Sequence, residues 1–321
     1  MRLLYAAIAA LLAAPAPAAP VFLLPIECEL GAACIVQNYV DREPGPSARD
    51  YRCGFLSYDG HKGTDIRVID RARYKDGVAV LAAAAGRVRA VRDGMADGER
   101  VAGREAGNSV VIQHGDGWET QYAHLRRGSV AVRAGDHVEA GARLGLVGLS
   151  GQTEFPHLHF EVRQRGRTVD PFDAASRADC GAAAQALWDE QAARWLKYAP
   201  SGVLSAGMAG APPVLTERDV DTEKTAAFDA AAGAVVFWVH VYGTQEGDVE
   251  QLRLVGPGGA VLAQRRAPVE RTQAQRLVYI GKRRTAGEWP AGEYRGEYVL
   301  YRGERREKVV ELAREGRVAA R

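Results

Sequence analysis

The sequence predicts a mainly β chain of two antiparallel domains, the second a small β-sandwich-like unit, joined by a helix and a linker. Three observations carry this reading. Short β-type runs closed by Gly or Asp recur between residues 77 and 169, and runs of the same kind resume after residue 213. Between them Leu187, Trp188, Ala192, Trp195 and Leu196 recur at helical spacing, followed by a Gly-, Ala-, Ser- and Pro-containing stretch over 200–213. At 321 residues, two domains are also the prior from length.

The elements follow in order. Arg2, the apolar run 3–14 and the small residues around Ala14-Pro15-Ala16-Pro17-Ala18 have the anatomy of a secretory signal peptide over 1–19. A membrane anchor would need about 20 apolar residues, and Pro15 and Pro17 interrupt this run too early. Glu27 stands before Cys28 where a lipoprotein would need a small residue. The chain is therefore expected to be exported, to the periplasm or beyond, with no transmembrane segment after processing. Residues 20–60 read as irregular. Strands are expected over 78–81, 86–91, 109–114, 118–124, 144–148 and 158–163, with 93–107 as a surface loop, inside a first domain of 20–180. The helix is expected over 182–198, within a helix-and-linker segment of 181–213. A second domain, 214–321, has strands expected over 234–241, 249–255, 277–280, 292–301 and 308–312. Its aromatic residues read as core, so it is expected to bind or position and not to catalyse. A chain ending near Ser201 should then fold and keep its chemistry on small substrates.

Composition narrows the function classes. The 42 basic and 40 acidic residues are interspersed and nearly cancel, which gives no electrostatic footprint for nucleic acid or a polybasic membrane contact. The four cysteines lack any C-x-x-C spacing and, in an exported chain, read as disulfides. Of the three pairings, Cys28–Cys34 with Cys53–Cys180 is expected. Nothing in the sequence sets the oligomeric state.

Four of the seven histidines and one aspartate fall into three clusters. In His61-Lys62-Gly63-Thr64-Asp65 the outer residues would lie about 13 Å apart on a strand, so a turn over 60–63 must bring imidazole and carboxylate together. In His157-Leu158-His159 both imidazoles share one strand face while Leu158 and Phe160 take the other. Two histidines side by side on an apolar strand point to a metal. The third cluster, Tyr122-Ala123-His124-Leu125, is expected to put Thr120, Tyr122 and His124 on one face. His114, His137 and His240 read as ordinary strand or surface residues. Neither an H-E-x-x-H helix nor a G-x-G-x-x-G nucleotide turn occurs.

Taken together, the clusters resemble peptidase family M23 (LytM/lysostaphin-like). The resemblance runs from His61 to Arg163: H-K-G-T-D, then V-L-A-A-A-A-G-R-V, then G-N-S-V-V-I-Q-H-G-D-G-W-E-T-Q-Y-A-H-L, then V-R-A-G-D-H-V-E-A-G-A-R-L-G-L-V-G-L-S-G, then P-H-L-H-F-E-V. It implies an antiparallel β metallopeptidase domain in which His61, Asp65 and His159 hold one Zn²⁺, while His124 and His157 are catalytic and line the water that attacks. Two histidines and one carboxylate leave a tetrahedral zinc with an open position, which activates water at neutral pH and polarises a carbonyl. One imidazole can then carry the proton and the other can donate to the oxyanion. The family usually has a Ser-Thr-Gly-Pro-like turn before the last motif, where this chain has Thr153-Glu154-Phe155-Pro156. The implied substrate is the peptide cross-link of peptidoglycan. The alternatives are a non-enzymatic LytM-like activator of cell-wall amidases, against which the retention of all five polar residues argues, and a secreted peptidase acting on proteins.

Overall fold

Residues 19–175, 185–213 and 228–318 are described by a computed structural model. The first part holds ten strands: β1 (Cys34–Asn38), β2 (Thr64–Val68), β3 (Ala79–Leu81), β4 (Gly86–Arg92), β5 (Asn108–Gly115), β6 (Trp118–Leu125), β7 (His137–Val138), β8 (Arg143–Leu146), β9 (His157–Gln164) and β10 (Arg167–Val169). Eight of them form one antiparallel sheet in the order β1-β2-β9-β6-β5-β4-β7, with β10 added on β9, and β3 pairs with β8. Period-two alternation divides the faces of this sheet. Leu158, Phe160 and Val162 of β9 and Tyr122 of β6 join Phe22 and Trp188 in the core. His157, His159, Glu161 and Gln121 face an open cleft on the other side.

The second part holds β11 (Gly202–Ala209), β12 (Ala234–Thr244), β13 (Val249–Val255), β14 (Val261–Pro268), β15 (Gln273–Arg283), β16 (Gly292–Arg302) and β17 (Glu307–Val318). A three-stranded sheet, β11-β12-β15, and a four-stranded one, β14-β13-β16-β17, enclose a second core around Phe237, Val239, Leu252, Tyr294 and Tyr298. The expected mainly β, antiparallel architecture with a sandwich-like second part is what the chain adopts. The expected strands of both parts are present, most of them a few residues longer than expected.

Three local expectations are corrected, and one short helix is added. The stretch 20–60, expected to be irregular, contains β1, which forms the edge of the main sheet. Residues 71–76 form a short helix, α1 (Arg71–Asp76), capped by the Asp70 carboxylate, which accepts from the amides of Ala72 and Arg73. The expected helix over 182–198 is, among its described residues, only α2 (Glu190–Trp195). Leu187 and Trp188 run extended instead, because the Phe22 amide donates to the Leu187 carbonyl and the Asp189 amide to the Phe22 carbonyl. Asp189 then caps α2 through the Ala192 amide. The expected linker 200–213 contains the strand β11, on which Leu204, Ala206 and Met208 are buried. Its small residues serve packing: a Cβ on Gly207 would come within 2.9 Å of the Trp238 ring, and one on Gly202 within 2.6 Å of the Tyr242 ring.

The two parts are joined through side chains. Leu204 and Tyr242 of the second part belong to the hydrophobic cluster that contains Phe22 and Tyr39. The Cys28–Cys34 disulfide is formed. The other expected bridge, Cys53–Cys180, and the expected signal peptide reach outside the described residues. Among the described residues no helix is long and apolar enough to cross a membrane.

Candidate metal centre

A row of directly opposed residues crosses four strands of the main sheet. Asn38 on β1 faces Asp65 on β2, Asp65 faces His159 on β9, and His159 faces Ala123 on β6. Opposed residues on antiparallel strands bring their side chains together on one face, so the register itself delivers the Asp65 carboxylate to the His159 imidazole. The pairing of β1 shifts by one residue between Val36 and Asn38, a bulge at Gln37 that places Asn38 opposite Asp65. The Asn38 amide donates to Asp65 Oδ2 at 3.0 Å, leaving Oδ1 directed into the site.

His61 arrives from the turn just before β2. Gly60 takes φ +72°, a conformation open to glycine, and the His61 amide donates to the Tyr58 carbonyl. The fold-back required by the H-K-G-T-D spacing is thus made by a turn over 58–61. Gly63 has a steric role instead: a Cβ there would lie 2.7 Å from His159 Cε1 and Nε2 and 2.8 Å from the Phe160 carbonyl oxygen.

His61 Nε2, Asp65 Oδ1 and His159 Nδ1 form a small triangle with sides of 3.2, 2.8 and 3.3 Å. Tetrahedral zinc with bonds of about 2.0–2.1 Å would separate its ligand atoms by about 3.3 Å, so this donor set fits the ion. The tautomer fits as well. His61 Nδ1 lies 2.7 Å from the Tyr39 carbonyl, which can only accept, so the proton sits on Nδ1 and the Nε2 lone pair faces the triangle. His61 and Asp65 are almost wholly buried, at 3% and 2% exposure, while the His159 side chain is partly open to the cleft. Burial opposes charge on both buried groups. The Asp65 carboxylate outweighs it at His61, raising that imidazole's pKa, and the facing His61 and His157 hold the Asp65 carboxyl well below its ordinary range.

His124 and His157 stand beside the triangle, with ring centroids 4.7 Å apart. Each is oriented by a backbone carbonyl. His124 Nδ1 donates to Ser150 O at 2.8 Å, and His157 Nδ1 donates to Phe155 O at 2.9 Å, so both present Nε2 as the free acceptor. His157 Nε2 is 3.4 Å from Asp65 Oδ1. Burial, followed by the nearby charges of His157 and His159, pushes the pKa of His124 well below the ordinary imidazole value, so it stays neutral.

His124 reaches this place against the strand alternation. Thr120 and Tyr122 point into the core, where the Tyr122 hydroxyl caps the Ala83 amide, so the expected shared face would have buried His124 beside them. Its backbone instead takes φ +61°, which turns the imidazole into the cleft. A non-glycine residue in this region is strained. The strain is held by the His124 amide donating to Ala106 O and the Gly148 amide donating to His124 O. The expectation that Thr120, Tyr122 and His124 share a face is therefore corrected.

Four of the five residues singled out in the sequence, Asp65, His124, His157 and His159, line this cleft of about 730 Å³, and His61 lies behind them with Nε2 3.2 Å from Asp65 Oδ1. The remaining histidines lie apart. His114 bonds to Ala85 O and Thr120 Oγ1, His137 is on the surface, and His240 is buried in the second part. Asn38, Ser150 and Thr153 support the site without having been read from the sequence. Thr153 Oγ1, 3.1 Å from His157 Nδ1, donates to Phe155 O. Ala274 and Gln275 of the sandwich also line the cleft, so the second part is a wall of the site.

The chain is similar in sequence to known proteins over part of its length. The profile of peptidase family M23 matches residues 59–171. Peptidoglycan DD-endopeptidase ShyA of Vibrio cholerae is 46% identical over 69 residues, which are 22% of this chain and 16% of ShyA. Cell division protein DipM of Caulobacter vibrioides is 34% identical over 153 residues, 44% of this chain and 23% of DipM. A solved structure of a zinc containing peptidase from Vibrio cholerae aligns at 30% identity and a TM-score of 0.29, covering 45% of this chain and 40% of that one. The chain thus spans less than a quarter of the length of either curated relative. Residues 59–171, which include all five of these polar residues, thus match the model of peptidase family M23.

Proposed function

We propose that the chain is a zinc-dependent endopeptidase that hydrolyses peptide cross-links of peptidoglycan in the cell envelope. The observation that carries this reading is the triangle of His61 Nε2, Asp65 Oδ1 and His159 Nδ1, flanked by two imidazoles of defined tautomer. The choice of substrate is supported by the relative ShyA, a peptidoglycan DD-endopeptidase. One zinc ion held by His61, Asp65 and His159 would supply a Lewis acid for the scissile carbonyl and lower the pKa of the attacking water.

The chain's own residues do the rest. His124 and His157 direct their Nε2 atoms into the cleft as acceptors: one takes the proton from the attacking water, and a ring that then carries a proton on Nε2 can donate to the developing oxyanion. The proton then passes to the leaving amine. Ser150 O and Phe155 O keep the two rings from turning, which holds the acceptor nitrogen towards the substrate. Lys62, Arg100, Glu105 and Glu154 on the cleft rim meet the polar groups of the peptide.

The test combines metal analysis with mass spectrometry of muropeptides after digestion by the purified chain. His61→Ala, Asp65→Ala and His159→Ala should lose zinc and activity together. His124→Ala and His157→Ala should keep zinc near one ion per chain and lose turnover by about a hundredfold or more. Full zinc in His159→Ala overturns the ligand set. A zinc-loaded chain that releases no cross-linked product overturns the enzymatic reading in favour of an amidase activator, and cleavage confined to protein substrates favours a secreted protease.

A further inference from the structure

We propose that Gln275, on the C-terminal sandwich, is a positioning residue for His157, so that the peptidase site is completed by the second domain. The proposal rests on the reading above for what the site does, and its structural content stands on side-chain geometry alone.

The chain of contacts starts at Arg67. This residue lies on β2 two positions after Asp65, so it shares the cleft face, and it sits directly opposite His157 in the β2–β9 ladder. Its side chain is 2% exposed. One guanidinium nitrogen, Nη1, donates to Gln37 Oε1 at 2.8 Å and to Gln275 Oε1 at 3.0 Å. The guanidinium carbon lies 4.3 Å from the centroid of the Phe155 ring. Phe155 in turn holds His157 twice, through its carbonyl on Nδ1 at 2.9 Å and through its ring, with centroids 4.9 Å apart. Phe155 occupies the turn in which this chain departs from the usual Ser-Thr-Gly-Pro-like pattern. A ring at that place gives the guanidinium a face to pack on.

A buried guanidinium keeps one orientation only while its donors keep their acceptors. Among the described residues Gln275 is, with Gln37, an acceptor for Nη1, and it comes from a strand 208 residues away in sequence. That strand is firmly seated. Tyr242, its direct partner across the β12–β15 ladder, is 3% exposed and packs into the core of the peptidase part. Next to it the Arg302 guanidinium donates to Ser201 Oγ, Gly243 O and Asp248 Oδ2. The sandwich therefore presents Gln275 at a defined position. Losing that acceptor removes one hold on the guanidinium and lets it shift, which moves the Phe155 ring and with it the imidazole.

The test uses the full-length, zinc-loaded chain with Gln275→Ala and Gln275→Glu, the second keeping an acceptor oxygen. Three quantities are measured: zinc content, the ring-nitrogen signals of His157 by long-range ¹H–¹⁵N NMR, and kcat and KM on a small soluble cross-linked peptide. Gln275→Ala should keep one zinc, shift the His157 ring signals and lower kcat by about 3–10-fold with KM unchanged, the pattern of a misplaced reacting group. Gln275→Glu should return the signals and bring kcat to within about twofold of the parent. Unmoved His157 signals in Gln275→Ala overturn the proposal, as does a Gln275→Glu chain as impaired as Gln275→Ala. If the parent chain cleaves no peptide, the proposed function fails while the His157 signals still decide the positioning role.

Discussion

Replacing Gly63 with alanine isolates the packing that holds His159, a proposed metal ligand. The added Cβ would sit 2.7 Å from both Cε1 and Nε2 of His159 and 2.8 Å from the Phe160 carbonyl. Ordinary contact begins near 3.4 Å, so something must move by about 0.7 Å. The carbonyl belongs to the β2–β9 ladder, where Thr64 is paired with Phe160, and cannot yield cheaply. The ring therefore bears the displacement. Its Nδ1, bonded to the displaced Cε1, lies 2.8 Å from Asp65 Oδ1, so the push distorts the donor triangle directly. Ligand misplacement of this size weakens metal binding about 10–100-fold, by analogy with the loss of a ligand's supporting contacts, and overpacking destabilises by about 1–3 kcal/mol. Zinc affinity is read by competition with a chromophoric chelator, and stability by denaturant titration of the metal-free chain. Parent-like zinc affinity in Gly63→Ala would refute the packing argument, because it would mean that the ring has room the structure does not show.

Three further outcomes are expected. Asn38→Ala removes the donor to Asp65 Oδ2 and should weaken zinc binding by about tenfold in the same competition assay, with parent-like affinity counting against the bulge-placed support. His124→Gly should be more stable than His124→Ala by about 1 kcal/mol in denaturant titration, because only glycine occupies φ +61° without strain; equal stability would contradict the strained turn. Burial raises the Asp170 carboxyl to about 7, against the Phe172 amide and the Arg42 charge that favour ionisation, so the folded state holds a proton that the unfolded chain releases near its ordinary carboxyl pKa. A raised folded pKa gives stability that is complete below the unfolded value and is lost as pH rises towards about 7. Asp170→Asn should thus gain on the parent between pH 5 and 8, by up to about 4 kcal/mol as an upper bound; a pH-independent difference would refute the protonated carboxyl.

A chain ending near Ser201, expected to fold and keep its chemistry on small substrates, tests what the second part adds. Such a cut removes Leu204 and Tyr242 from the first core and Gln275 from the cleft. Of the aromatic residues expected in the second core, Trp238, Tyr294 and Tyr298 are buried, Tyr279 is 46% exposed, and Tyr242 serves the core of its neighbour.

Local pattern by itself determined much of this protein. Alternation and glycine punctuation are properties of a few consecutive residues, so the strands carrying His124, His157 and His159 could be read directly. The i, i+2 spacing of His157 and His159 set their shared face because a strand repeats every two residues. The turn that carries His61 back to Asp65 followed from a distance no strand could span. What needed the tertiary structure was register, strain and docking. Asn38 meets Asp65 only through a bulge between strands 27 residues apart in sequence, and His61 meets His159 across 98 residues. His124 faces the cleft only because surrounding backbone bonds hold it at a positive φ that its own sequence disfavours. Small residues over 200–213 read as a linker, yet Gly202 and Gly207 lie against the rings of Tyr242 and Trp238, where a Cβ would not fit. Each of these depends on contacts between segments far apart in the chain, whose side chains choose partners only once the sheets have packed, and no local period encodes that choice.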